Sequence, residues 1–287
     1  MKKYLLTLLL AIFCLQGSVA QSDSSMSKKI DKMAKKIEKE ALEFSQKDIN
    51  LNIDMNEISK NIKESLSGLN NISDFMDNGL DNEVSKEERV EKNYDLKNFT
   101  SIKCSGIAKI IYTQEDKYEV KVKATKSFLD NLIIKVDNGI LIIDLKKGDK
   151  SNLSGKNFIE NLEINISSPT LKSVSLGGVV KFSSKSIKGD SFELNVSGVG
   201  KVDCPSLDFA KFVSKVSGAG SLNVAFKGES AYISNSGASR YTLNVDCKEL
   251  TVKNSGAGSM KISGTADKTD INSTGVSDIN ISELNKF

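Results

Sequence analysis

The chain has 287 residues, room for one or two domains, and carries 40 Lys and Arg against 37 Asp and Glu, a formal net charge of +3. Two of those surplus charges are Lys2 and Lys3, so the balance argues against bulk nucleic-acid binding. Histidine is absent altogether, which removes the commonest general base and metal ligand.

Residues 1–20 carry a basic start, Met1-Lys2-Lys3, an apolar run from Leu5 to Leu15, and the small residues Ser18 and Ala20 before Gln21. That pattern predicts a secretory signal cleaved between Ala20 and Gln21, and hence an exported protein, placed in the periplasm, on the outer-membrane surface or outside the cell. The run is short for a retained membrane anchor, and Phe13 fits a lipid-attachment site at Cys14 poorly. Next, Ile30, Met33, Ile37, Ala41 and Phe44 recur at spacings of three and four among lysines, which predicts a basic amphipathic helix over 28–44. Such a helix can dock on an anionic membrane or a partner helix, but packing on its own chain is the plainer reading. Ile49, Leu51, Ile53 and Met55 alternate like a short strand, and helical spacing resumes at Ile58, Ile62, Leu66, Leu69 and Ile72, with Asn56 as N-cap. Residues 21–76 are therefore read as a helical N-terminal segment, 77–93 as a polar linker, and 94–287 as the main domain.

Early in that domain, Cys104-Ser105-Gly106-Ile107-Ala108-Lys109-Ile110 has the grammar of one coil: inward residue, Ser-Gly corner, inward residues again. Tyr118, Val120 and Val122 alternate as a strand, and Asp137-Asn138-Gly139 between Ile133–Val136 and Ile140–Ile142 signals a hairpin. Lys146–Lys156 reads as a loop, and Leu162, Ile164 and Ile166 lead into the regular part.

There the glycines Gly178, Gly198, Gly218, Gly237, Gly256 and Gly275 recur at spacings of 20, 20, 19, 19 and 19, each in a turn of small residues such as Ser217-Gly218-Ala219-Gly220. A fixed period of this length marks a stacked-repeat fold. Aligned on the glycines, one column four residues before them holds Val174, Leu194, Ser214, Ile233, Val252 and Ile271. A column two before holds Leu176, Val196, Val216, Asn235, Asn254 and Ser273. Four after come Phe182, Val202, Leu222, Tyr241, Met260 and Ile279, and six after come Ser184, Cys204, Val224, Leu243, Ile262 and Ile281. Columns two apart on either side of a turn are strand alternation, not the helical period. Glycine suits the corner through its freedom to take positive φ. The expectation is an all-β fold, a right-handed parallel β-helix-like solenoid with 19–20-residue coils, preceded by the short helical segment. Gly106 and the six later glycines are its repeat corners.

Chemistry is hard to find. Carboxylates needed by polysaccharide-cutting β-helix enzymes would form a stacked acidic column, yet five before the glycine stand Ser173, Glu193, Val213, Tyr232, Thr251 and Asp270. Gly198-Val199-Gly200 lacks the third glycine and following helix of a dinucleotide loop, and the calcium nonapeptide's Asp is missing from the glycine turns. Cys104, Cys204 and Cys247 lack metal-site spacing; Cys104 and Cys204 fall at inward positions as small hydrophobes, while a Cys204–Cys247 disulfide stays open in an exported chain. No catalytic residue, metal or cofactor is expected.

The entry Leu96-Lys97-Asn98-Phe99-Thr100-Ser101-Ile102, the Ser-Gly-Ile-Ala-Lys-Ile unit, the Asn138-Gly139-Ile140-Leu141 hairpin and the Ser-Gly-Ala-Gly ladder together resemble the family of the putative auto-transporter adhesin, head GIN domain, secreted proteins typical of the Bacteroidetes. The resemblance spans Tyr94 to Phe287. It implies a β-helix-like domain exposed beyond the inner membrane with an adhesive or surface role, and it transfers no catalytic residue. The leading reading is a non-catalytic module whose outward Ser, Asn, Thr and Lys rows meet glycan or protein on cell surfaces, with Lys181, Lys201, Lys215, Arg240 and Lys253 as the candidate contacts to an anionic partner. The rivals are a structural or envelope-stress component without its own ligand, and a polysaccharide-active enzyme.

Overall fold

The structure is a computed structural model that describes residues 88–146 and 162–285. The chain divides into Met1–Asp74 and Phe75–Phe287, and everything described belongs to the second unit. The expected signal, the helical segment 21–76, most of the 77–93 linker and the greater part of the 146–156 loop lie outside the described residues.

The regular part is built from β8 (Ser173–Leu176), β9 (Val179–Ser184), β10 (Ile187–Val196), β11 (Val199–Val216), β12 (Ala219–Asn235), β13 (Ala238–Asn254), β14 (Ala257–Ser273) and β15 (Val276–Asn285). Each long strand bends around its coil and pairs in parallel with the next, giving an all-β solenoid of about six turns. The register follows the sequence period: Val199 pairs with Ala219, an offset of 20, and after a bulge between Cys204 and Leu207 the partner of Leu207 is Phe226, an offset of 19. Every step from β12 to β13 then keeps 19, as in Ala219 with Ala238.

The early coil is present as expected, with β2 (Ser101–Cys104) and β3 (Ile107–Gln114) on either side of Gly106. It lies directly against the Gly178 coil, β2 beside β8 and β3 beside β9, both parallel. Less visible in the sequence is the antiparallel material beyond it. On one side β7 (Leu162–Ser168) pairs with β3, β4 (Glu119–Thr125) runs antiparallel to β7, and β1 (Arg89–Asn93) runs antiparallel to β4. On the other side β6 (Ile140–Leu145) pairs with β2 and carries β5 (Leu132–Asp137) as an antiparallel partner. The hairpin turn between them has positive φ at Asn138 (49°) and Gly139 (75°), as an Asn-Gly type I′ turn requires. The short helix α1 (Lys126–Asn131) bridges β4 to β5. The sheet thus starts at Arg89, ahead of Tyr94, where the sequence reading opens the domain.

The aligned columns form the core. Val174, Leu194, Ile233 and Val252 are buried, as are Phe182, Val202, Leu222, Tyr241 and Met260. Polar members Ser214, Asn235 and Asn254 are buried as well and partner within the core, Ser214 Oγ and Tyr241 Oη being 2.9 Å apart and Asn235 Nδ2 donating to Asn254 Oδ1 at 2.7 Å, whereas Ser273, expected in the same inward column, is exposed near the end of the stack. Four phenylalanines collect in the middle of the solenoid, where Phe192 stacks on Phe209 at 5.3 Å and Phe212 meets Phe226 at 5.5 Å.

Two further expectations are corrected. Ile281, placed in an inward column, is 38% exposed, because a register shift between Lys261 and Ser263 breaks its alignment with Ile262 and no described strand lies beyond β15. The corner glycines do not have positive φ, which among described glycines occurs at Gly139, Gly258 and Gly264. Their reason is close approach. A β-carbon at Gly198 would stand 2.2 Å from the carbonyl oxygen of Gly178, and one at Gly218 would stand 2.1 Å from that of Gly198. Those carbonyls accept the corner hydrogen bonds, Val199 N–H to Gly178 O at 2.8 Å and Ala219 N–H to Gly198 O at 2.9 Å, so the coils stack too closely there for any side chain.

Candidate functional site

Residues three positions after each corner glycine point outward, since their neighbours on either side face the core. The parallel register stacks them into one row: Lys109 beside Lys181, Lys181 beside Lys201, then Ser221, Arg240, Ser259 and Asp278. Beyond Lys109 the row continues through Glu163, Lys123 and Glu91 on the antiparallel strands. Lys215 and Lys253 stand three positions before their glycines and stack in a different row on the neighbouring face, in the order Lys103, Ser175, Asn195, Lys215, Ser234, Lys253, Asn272. The five candidate cations therefore divide between two faces, Lys181, Lys201 and Arg240 on one and Lys215 and Lys253 on the other. Lys109 and Lys123 join the first set. Lys109 was legible, because it follows Gly106 at the distance by which Lys181 follows Gly178; Lys123 arrives through antiparallel pairing that no repeat announces.

The two rows differ in setting. Lys215 is exposed and its Nζ lies 2.8 Å from Glu193 Oε1, while the Lys253 ammonium stands 5.9 Å from the Tyr232 ring centroid. The hydrogen bond from Lys215 holds the Glu193 carboxyl below its ordinary range despite partial burial. On the first face the lysines are recessed and Arg240 is exposed: Lys109, Lys121, Lys123, Lys181 and Lys201 are half-buried, whereas every other described lysine is exposed. Lys109 Nζ donates to Glu163 Oε2 at 2.9 Å, with side-chain exposures of 27% and 23%. Burial pushes the Glu163 carboxyl up, but the bond and charge of Lys109, the Asn165 amide and the charge of Arg89 outweigh it and leave it below 4.5.

The row searched for enzymatic carboxylates stacks as aligned, Ser173 with Glu193, Glu193 with Val213, then Tyr232, Thr251 and Asp270, so no two of its acids are neighbours. Among the described residues no cluster of three His, Cys, Asp or Glu side chains could hold a metal ion. Cys104, Cys204 and Cys247 are buried free thiols, the first two pushed up to about 12 and the third to about 11 by burial. A cleft of about 580 Å³, which the sequence did not signal, opens among Gln114, Lys172, Lys188, Asp190 and Asp208. Gln114 acts there as a staple, its Nε2 donating to the carbonyls of Pro169 (2.9 Å) and Lys188 (3.0 Å) and its Oε1 accepting from Lys188 N–H (2.8 Å).

With this geometry in hand, comparison with known proteins is informative on fold and family. The profile of the family described as putative auto-transporter adhesin, head GIN domain matches residues 98–226 and 213–286. No curated protein matches the chain. Among solved structures, a putative adhesin from Bacteroides fragilis NCTC 9343 superposes with a TM-score of 0.56 at 21% identity, covering 68% of this chain and 97% of its own. A putative adhesin from Parabacteroides merdae ATCC 43184 gives a TM-score of 0.45 at 14% identity over 71% and 98% of the two chains. A protein from Parabacteroides distasonis ATCC 8503 called a putative lipid binding protein gives 0.43 at 19% identity over 70% and 98%.

Proposed function

Because the chain belongs to the family of the putative auto-transporter adhesin, head GIN domain, we propose that it is an exported, non-catalytic solenoid, coiled right-handedly, that presents repeated surface rows to an anionic glycan or protein on cell surfaces. The observation that carries this reading is the stacked row of half-buried lysines, Lys109, Lys181 and Lys201, on one face. Contacts of this kind are individually weak and gain from repetition along a rigid scaffold. Export removes residues 1–20, so the intact mass of the secreted form starts at Gln21.

The test is adhesion of the mature protein to bacterial and host cell surfaces as a function of salt. Binding is expected to weaken once ionic strength passes about 0.15 M, where screening reaches about 8 Å. Replacing Lys181, Lys201, Lys215, Arg240 and Lys253 together by Ser is expected to reduce it without lowering the melting temperature. Absence of binding to any surface, or binding indifferent to salt, would transfer the reading to a structural envelope component.

A further inference from the structure

The described residues expose three large apolar side chains, Val90 at 48%, Val276 at 39% and Ile281 at 38%, and all three lie on the terminal strands β1 and β15. The two edges are not alike. On β1 the side that faces the core carries Lys92, opposite the buried Val122, and a charge there opposes addition of another strand. On β15 the corresponding side carries Ser277, Ile279 and Ile281, none of them charged, and Ile279 is only partly covered. The backbone of β15 is open as well. At successive corners the residue after the glycine bonds back to the coil before it, as Ala257 N–H does to Gly237 O at 3.0 Å, and alternate residues bond the other way. By that alternation Ser277 and Ile279 turn their N–H and C=O groups away from β14, toward a side where no described strand lies.

We propose that β15 is a self-recognition edge, on which a second copy of this chain adds its own β15 antiparallel about a two-fold axis at Ile279. The residues of the edge select both partner and register. Side chains alternate between faces, so the core side stays continuous only where an inward residue meets an inward one. The register with β14 is unbroken from Val276 to Asn280, and Asp278 stands at the middle of that stretch. An axis at Asp278 would set its carboxylate opposite that of the second copy, like charge on like charge. An axis at Ser277 would set Val276 against Asp278 and leave Ile281 outside the pairing. An axis at Ile279 puts Ile279 on Ile279, Ser277 on Ile281 and Asp278 on Asn280, with no two acids opposed. The free N–H and C=O of Ile279 then meet their counterparts as a hydrogen-bonded pair. Glu283, the other acid of β15, is already held by Lys261 at 2.7 Å. A patch that recognises itself closes after two copies and leaves both β1 edges pointing away. The pairing goes beyond the adhesion reading and does not depend on it.

The experiment is sedimentation of the mature protein between about 1 µM and about 1 mM, the range suited to a small contact. A monomer–dimer equilibrium is expected, weakened by about tenfold or more in Ile281→Lys at an unchanged melting temperature. Asn280→Asp, which opposes an acid to Asp278, is expected to weaken dimerisation, and Asn280→Lys to strengthen it. Cysteines read the register. Opposed residues whose backbones do not bond each other stand about 4.5 Å apart at Cα, within disulfide reach. Asp278→Cys and Asn280→Cys proteins are therefore expected to cross-link under mild oxidation when mixed, and neither when alone; the native thiols Cys104, Cys204 and Cys247 are buried. Hydrogen exchange at the Ser277 and Ile279 amides, fast in the dilute monomer, is expected to slow as concentration rises. A monomer at every concentration up to about 1 mM, or a dimer indifferent to both Ile281→Lys and Asn280→Asp, would overturn the proposal. Growth past the dimer would overturn it too, by seating β1 of the next copy on this edge. Cross-linking of Asp278→Cys with itself would overturn the axis at Ile279.

Discussion

At the scale of single residues, the corner glycines are held by their neighbours in the next coil and not by their own dihedrals. An alanine at Gly218 or Gly237 would bring its β-carbon to 2.1 or 2.0 Å from the carbonyl oxygen of the preceding corner, and only separation of the coils could relieve the clash. Gly106, at the first corner, has no such neighbour on that side: its β-carbon would meet the Leu145 Cγ at 3.3 Å, a side chain able to shift. Gly218→Ala is therefore expected to cost about 1–3 kcal/mol or more, the range of overpacked cores, and Gly106→Ala clearly less. Urea unfolding of the two variants decides it, and equal losses would refute the stacking explanation. The cysteines give a second check at this scale. Cys104 and Cys204, buried with thiols raised to about 12, are expected to resist iodoacetamide in the native protein and react on unfolding; rapid native labelling would show that the coils open.

At the scale of strands, the glycine period and the alternation around it marked the inward residues except Ser273 and Ile281 near the far end, because a parallel solenoid repeats its neighbours at a constant sequence offset until the register slips between β14 and β15. Leu194 and Ile262 are each 1% exposed, while Lys215 and Lys253 are exposed. Leu194→Asp or Ile262→Asp is thus expected to unfold the domain, and Lys215→Asp or Lys253→Asp to leave its melting temperature nearly unchanged. The division of the cations between two faces was also legible, since Lys181 and Lys201 follow their glycines whereas Lys215 and Lys253 precede theirs. What escaped was the pairing that does not repeat, the antiparallel contacts of β1 with β4 and of β4 with β7 and the parallel contact of β3 with β7, and with the last the ion pair of Lys109 and Glu163, which joins residues 54 apart. That pair has a pH signature. The Glu163 carboxyl is lowered from 4.5 in the fold, so its contribution is fully present above that value and is lost as pH falls through the folded value. In Lys109→Met the difference in urea midpoint between neutral pH and strong acid is expected to shrink relative to the parent protein; an unchanged difference would mean that the pair adds nothing to stability.

At the scale of the whole molecule, the two ends of the solenoid are built differently. The β1 edge is short and turns the charged side chain of Lys92 toward the side that Val122 occupies in the next strand, where its ammonium lies 5.0 Å from the Tyr94 ring, a guard against further strand addition. At the other end β15 pairs with β14 alone among the described strands, its register slips once, and Val276 and Ile281 are 39% and 38% exposed. In a stack where each coil touches only its neighbours, stability is a sum of coil and interface terms, and a terminal coil with one interface opens first. β12 and β13, each covered on both sides, carry the buried Phe226, Ile233, Tyr241 and Val252. Native-state hydrogen exchange is therefore expected to run fastest through the amides of β15, slower in β14 and slowest in β12 and β13. A chain ending at Gly275 should remain folded while fast exchange moves inward to β14, because removing one unit exposes the next without disturbing those beyond it. Exchange that is uniform along the stack, or global unfolding of the shortened chain, would show that the coils form one cooperative block and that β15 closes it.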